Sequence, residues 1–369
     1  MGVINGLKNI FELIGFNISY NLDYPFVKPK ILQITLTNRC NLQCKMCSVS
    51  KYTTRCDEEM ELEEIEKIIR IAKKDFDISQ LVLTGGEPLL VIDKVIGSAK
   101  LAKELGIGTL LTTNGYFLNE YASELVNSGI THFHISLDGL KETHNRLRNH
   151  PLSFDKAVEG IKKLASLREK NNSYSLGIGT LILKPNLNEL YDLFKYGDSL
   201  KVDVFDLLAY LPDNTDFAII KNDSFWLEDE DVLRFEDIYK KTIASGSEHI
   251  NFNSNFQINL IKKYYQRSLG SKDWRCFAGF KNLFITLSDP KRLGRFEPCL
   301  FMCKTHIPIR EYDYDLKKIW FSKQAAQARR AIKRCDSYCF QMCFALPTIM
   351  FLLKKKIDAF LKKYKNIWF

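Results

Sequence analysis

From Ile31 to about Pro212, short apolar runs alternate with amphipathic helical stretches six times over, and few folds accommodate that rhythm. The strand candidates are Ile31–Thr37, Gln80–Thr84, Gly108–Thr113, His132–Leu137, Leu176–Leu183 and Val202–Leu208. Between them lie helices such as Leu62–Lys74, whose Leu62, Ile65, Ile68, Ile69 and Ala72 share one face. Strand then helix, repeated, predicts a parallel sheet with right-handed crossovers. Six units are two short of a closed eightfold barrel. In His132-Phe133-His134-Ile135-Ser136-Leu137-Asp138 the apolar residues are the odd ones and the polar residues the even ones, so this strand turns polar groups inward. Gln33, Thr35 and Thr37 do the same opposite Leu32, Ile34 and Leu36. Parallel barrels bind ligands at the C-terminal strand ends. The Cys40 loop, Gly85-Gly86-Glu87, Thr113-Asn114-Gly115 and Ser136-Leu137-Asp138-Gly139 all fall there.

Directly after the first strand comes Cys40-Asn41-Leu42-Gln43-Cys44-Lys45-Met46-Cys47. Three thiolates leave a tetrahedral zinc one ligand short, whereas an iron-sulfur cube held by three cysteines keeps one iron open. This spacing, with Gly85-Gly86-Glu87-Pro88 downstream, resembles the radical S-adenosylmethionine (radical SAM) superfamily, and the resemblance runs from about Ile31 to Cys343. It implies an α/β fold, a partial (β/α)6 TIM-type barrel over residues 31–212. It also implies that Cys40, Cys44 and Cys47 hold a [4Fe-4S] cluster whose fourth iron is chelated by SAM, and that reduction yields a 5′-deoxyadenosyl radical that takes a hydrogen atom from substrate. Met46 departs from the family pattern, which usually has an aromatic residue there.

By the same resemblance Gly85, Gly86 and Glu87 meet the methionyl amine, and Asn114 and Ser136 reach the ribose or carboxylate. Arg146 is placed to pair with the SAM carboxylate through its planar fork, and Asn186 lies by the adenosine. His134, inward and near the rim, is the better of two histidines for substrate contact. Cys56, just past the cluster loop, is either structural or a hydrogen-atom donor.

Six further cysteines follow: Cys276, Cys299, Cys303, Cys335, Cys339 and Cys343. Their spacings suit iron-sulfur ligation better than a zinc ribbon. Their order resembles the auxiliary-cluster extensions called SPASM, or the shorter twitch form. That implies a small α+β domain over 276–345 holding one second [4Fe-4S] cluster, with Cys276, Cys299, Cys335 and Cys339 as preferred ligands and Cys343 able to replace one of the late pair. Strand-like Leu283–Leu287 and helix-like Leu316–Lys333 lie within it, and a helical linker over 213–275, including Asp229–Ile243, precedes it.

Ten cysteines without an export signal fit a reducing cytoplasm and metal ligation. No apolar run reaches the length of a membrane span. The arm 1–30 carries Ile4, Leu7, Ile10, Phe11 and Ile14 on one helical face and is expected to pack on the domain after it. Of the formal charge of +9, a net +5 lies in 346–369, where six lysines face one aspartate in a basic amphipathic helix by pattern. That tail suits either peripheral contact with the inner face of an anionic membrane or closure of the barrel or cluster domain. No nucleic-acid module is recognisable. The arm leaves no room for a leader-binding domain, which favours oxidation or epimerisation of a sugar or other small molecule, with reduced ferredoxin or flavodoxin as electron donor. Peptide or protein modification is the alternative, and a non-catalytic iron-sulfur electron carrier is a third.

Overall fold

A computed structural model describes residues 2–47, 59–168, 174–212, 223–247, 250–270, 273–287, 294–299, 305–335, 339–340 and 345–346. Cys56, Cys303, Cys343 and the tail 347–369 lie outside the described residues. Strands β1 Ile31–Thr37, β2 Gln80–Gly85, β3 Gly108–Thr113, β4 His132–Ser136, β5 Ser175–Ile182 and β6 Val204–Ala209 pair in chain order, every pair parallel. They match the six strands read from periodicity to within about two residues at each end.

The sheet is longer than six strands. β7 Asn251–Phe252, in the stretch read as helical linker, adds in parallel beyond β6, and β9 Asn282–Thr286 adds in parallel on the other side of β1. β10 Arg295–Phe296 and β11 Ile307–Pro308 then continue antiparallel, giving the order β11-β10-β9-β1-β2-β3-β4-β5-β6-β7. β7 escaped notice because two residues carry no readable period.

Burial alternates along β1 and β4, whereas β5 is buried on both faces over most of its length. Leu32, Ile34, Leu81, Leu83, Phe133, Ile135, Leu176 and Ile178 are buried against the helical layer. Helix α2, Leu62–Phe76, buries Ile65, Ile68, Ile69, Ala72 and Phe76, the stripe read from its sequence. It ends at Asp77, which is in the left-handed conformation.

The run Leu316–Lys333 is two helices, Leu316–Trp320 and Lys323–Lys333. Ser322 separates them, its side chain accepting from Ala325 N as an N-cap. The N-terminal helix Gly2–Asn21 packs on the cysteine-rich segment: Phe16 meets Phe277 edge-on and Tyr20 meets it at a tilt, with centroids 6.3 and 5.3 Å apart. Leu346, expected to begin a tail helix, lies in the short strand Ala345–Leu346, which pairs antiparallel with β8 Arg275–Cys276. No helix among the described residues is long and apolar enough to cross a membrane.

The chain that leaves the cysteine loop is pinned back on β1 by Glu59, which is 4% exposed. Arg39 donates to both its oxygens at 2.8 and 3.2 Å, Lys94 lies 3.3 Å away, and Thr37 Oγ1 also donates to it. Burial raises the Glu59 carboxyl, but the donors and cations outweigh it and hold the group below its ordinary range. A depressed carboxyl contributes stability that is present above its unfolded value and lost as pH falls through the folded one. Glu59→Gln is therefore expected to cost about 2 kcal/mol at neutral pH, with the deficit shrinking as pH falls below 4.5. Urea unfolding across a pH series checks it; a pH-independent deficit would refute the charge-based account.

Candidate functional site

The C-terminal strand ends bring the cysteine loop, the glycine pair and the ends of β3 and β4 together. Gly86 N donates to Thr37 O at 2.7 Å and Glu87 N to Arg39 O at 2.8 Å, so the β2 end lies flat along the chain entering the cysteine loop. A side chain could not be accommodated at either glycine. A Cβ at Gly85 would lie 2.2 Å from Thr37 O, and one at Gly86 would lie 2.2 Å from Arg39 O. The close approach these glycines permit is to the protein's own backbone.

Glu87 differs from its sequence expectation in the same way. Its carboxylate is fully buried and accepts from Leu89 N at 3.0 Å, Thr113 Oγ1 at 2.7 Å and Asn114 N at 2.8 Å. Burial pushes its carboxyl above the ordinary range against the opposing pull of those donors. The side chain joins β2 to β3 inside the protein, and what this segment offers the rim is backbone.

The three thiols share one loop. Cys44 is buried, Cys40 and Cys47 are partly so, and each raises the pKa of a neighbour: Cys47 acts on Cys40, and both act on Cys44. Burial is the larger cause and pushes Cys44 up to about 11. N–H donors already face two of the sulfurs. Leu42 N and Asn114 Nδ2 approach Cys40 Sγ at 3.4 and 3.8 Å, and Arg148 Nη1 approaches Cys44 Sγ at 3.9 Å. Among the described residues no three His, Cys, Asp or Glu side chains converge on a single-ion site. Three thiols near enough to influence one another, ringed by donors, fit a larger inorganic core with sulfur ligands.

Asn114 is drawn into this loop, its Nδ2 also donating to Asn41 Oδ1 at 2.9 Å. Asn186 is fully buried and spends its side chain on Leu183 N, Asp138 O and Leu181 O. It braces the ends of β4 and β5 and presents no polar atom to a nucleoside. Ser136 ends β4 on the inward face, half-buried. Arg146 donates to Thr143 Oγ1 at 3.4 Å on helix α5, Lys141–Arg148. Its neighbour two places on, Arg148, is the arginine that reaches the cysteine loop.

In the lumen His134 Nε2 lies 3.3 Å from Asp206 Oδ2 on β6. The ring crosses β5 over Gly179, where a Cβ would come within 2.2 Å of Cε1. The glycine on the inward face of β5 opens the slot through which the pair meets. His132 sits at the exposed end of the strand with Nδ1 2.8 Å from Thr131 Oγ1, and burial lowers its pKa.

Sequence reading missed Asp206, Asp138 and Arg148. Asp206 alone had a visible signal, a carboxylate inside an apolar strand.

Of the later cysteines, Cys276, Cys299, Cys335 and Cys339 are grouped, since the other three all raise Cys276 and both Cys299 and Cys335 raise Cys339. Burial is the main cause and pushes Cys276 and Cys339 each up to about 12. Each of the four preferred ligands thus lies within electrostatic reach of another of them.

Residues 34–196 match the family model described as the Radical SAM superfamily. Members of that superfamily use a [4Fe-4S] cluster and SAM. A GTP 3′,8-cyclase of Thermodesulfovibrio yellowstonii is 36% identical over 149 residues, covering 39% of this chain and 44% of that protein. A pre-heme d1 synthase of Dinoroseobacter shibae is 31% identical over 206 residues, 52% of this chain and 48% of that one. The chain thus spans about half the length of the curated relatives it matches. In fold it is similar to Streptococcus suis SuiB bound to S-adenosylmethionine, with a TM-score of 0.65 at 18% identity over 90% of this chain and 74% of that one.

Gly179→Ala is expected to cost about 1–3 kcal/mol by overpacking and to part His134 from Asp206. Thermal unfolding together with the His134 imidazole NMR resonances reads both effects; a stable variant with unmoved resonances would contradict the slot.

Proposed function

We propose that this chain is a SAM-dependent radical enzyme acting on a polar small molecule held in the barrel lumen. The reaction is oxidation, epimerisation or ring-forming rearrangement at a carbon near a hydroxyl. The observation that carries this reading is the His134–Asp206 pair, 3.3 Å apart, on the polar inner face of the same strands whose C-terminal ends gather the three thiols.

Cys40, Cys44 and Cys47 would hold the first cluster, leaving one iron open for SAM. The rim backbone at Gly85 and Gly86, Ser136 and Arg146 are the groups assigned to SAM. Cys276, Cys299, Cys335 and Cys339 would hold the second cluster, with Cys343 the alternate for one of the late pair. When bound, cluster and SAM together supply a hydrogen-abstracting radical.

The residues of the chain supply orientation. Asp206 Oδ2 stands 3.3 Å from His134 Nε2, and the ring's other nitrogen, Nδ1, is the atom we assign to a substrate hydroxyl. The neighbouring Thr35, Thr84, Thr112 and Ser136 offer uncharged donors and acceptors at partly exposed inward positions. This favours the hydroxyl-rich part of a substrate over a highly charged one.

The relatives named for GTP and for pre-heme d1 both take small molecules, which supports the same class. Modification of a peptide has only fold-level likeness behind it. Reduced ferredoxin or flavodoxin is the donor this chemistry calls for, and a reducing cytoplasm is the compartment that ten cysteines suit.

Anaerobic reconstitution, iron and sulfide counting and dithionite-driven SAM cleavage test the reading in wild type and in Cys40→Ala/Cys44→Ala/Cys47→Ala. About eight irons are expected, falling to about four with loss of 5′-deoxyadenosine. Cys276→Ala/Cys299→Ala is expected to drop the count to about four while keeping SAM cleavage. SAM cleavage that survives removal of the three loop thiols would end this assignment, and hydrogen transfer from SAM into a peptide would replace the small-molecule reading.

A further inference from the structure

Beside the cysteine loop stands a cation that no ligand assignment uses. Arg148 closes helix α5 and is only 12% exposed in its side chain. Its Nε and Nη2 both donate to Asp138 Oδ2, at 2.8 and 2.5 Å. Asp138 is itself fixed, 1% exposed in its side chain, with Oδ1 accepting from Leu181 N at 2.9 Å. Its backbone N–H donates to His144 Nδ1 at 3.0 Å and its carbonyl accepts from Asn186 Nδ2 at 2.7 Å. A guanidinium is planar, so clamping two of its nitrogens decides where the third points. Here the third, Nη1, points at Cys44 Sγ from 3.9 Å. The loop is docked on the same helix end by backbone as well, Lys45 N donating to Leu147 O at 2.9 Å.

We propose that Arg148 is a positioning residue that sets the reduction potential of the barrel cluster, by directing one fixed N–H and a full positive charge at the sulfur of Cys44. This rests on the reading that Cys40, Cys44 and Cys47 hold that cluster. Adding an electron to an anionic cluster increases its negative charge. A buried cation at a ligand sulfur therefore stabilises the reduced form more than the oxidised one and raises the potential. Among the described residues Cys40 is approached by the neutral donors Leu42 N and Asn114 Nδ2, whereas the guanidinium is aimed at Cys44. The ion pair with Asp138 tempers the effect but does not cancel it, because Oδ2 lies on the other side of the guanidinium from Nη1. Arginine suits this position where lysine would not: a point ammonium cannot hold Asp138 through two nitrogens and still aim a third.

The test is an EPR-monitored redox titration of the full chain, reconstituted as wild type, Arg148→Met and Arg148→Gln. It follows the signal that changes when SAM is added, with iron and sulfide counted in each sample. Both neutral variants are expected to keep the wild-type iron count and to titrate at more negative potential. At the wild-type midpoint the reduced-to-oxidised ratio should fall about tenfold, a shift of about 59 mV for one electron.

An unchanged midpoint in either variant that loads iron fully would overturn the proposal. Loss of iron from both variants, in protein that still shows the wild-type circular dichroism, would also overturn it and make Arg148 a requirement for holding the loop. Failure of wild type to take up iron would instead remove the cluster reading beneath it.

Discussion

Two buried carboxylates hold the rim of this barrel together. Glu87 joins β2 to β3 through Thr113 Oγ1 and Asn114 N, and Asp138 joins β4 to β5 and to α5 through Leu181 N and Arg148. Taking a carboxylate out of water costs several kcal/mol, and only a full set of donors offsets it. Each has that set, so each is a joint that tolerates little movement of its partners. A parallel sheet needs such joints because its strand ends leave backbone N–H groups without ladder partners where the chain turns toward a helix. The same joints fix where the cysteine loop sits. Glu87 N reaches back to Arg39 O, and Asp138 holds the arginine that faces Cys44.

Much of this was legible in the chain's periodicity. Period-two alternation in His132–Asp138 marked inward polar positions, and His134 and Ser136 do face the lumen side. The stripe of α2 and the six parallel strands followed from spacing alone. Cys40, Cys44 and Cys47 are local in sequence, so their convergence needed no tertiary knowledge. What stayed hidden depends on distance along the chain. Asp206 meets His134 across 72 positions, only because Gly179 leaves space between their strands. Arg148 and Arg146 are equally good arginines on a predicted helix, and the turn of that helix alone decides which one reaches Cys44. The rim carboxylate Glu87 and amide Asn186 looked like ligand contacts because their residue types suit that role. Inside the fold, unsatisfied backbone groups claimed them first.

The chemistry of the thiols shows how the two cysteine groups depend on their cargo. Burial holds Cys44 at about 11 and Cys276 and Cys339 at about 12, so at neutral pH these sulfurs keep their protons unless a cation replaces them. Iron uptake must therefore release protons and gains affinity as pH rises. The Arg148 guanidinium partly relieves that requirement at Cys44 by opposing the effect of burial on its thiol. In the second group burial pushes Cys276 and Cys339 higher still, opposed at Cys276 by the backbone N–H of Ala278. In both groups backbone N–H donors thus begin the neutralisation that iron completes, and in the barrel group a fixed guanidinium adds to them.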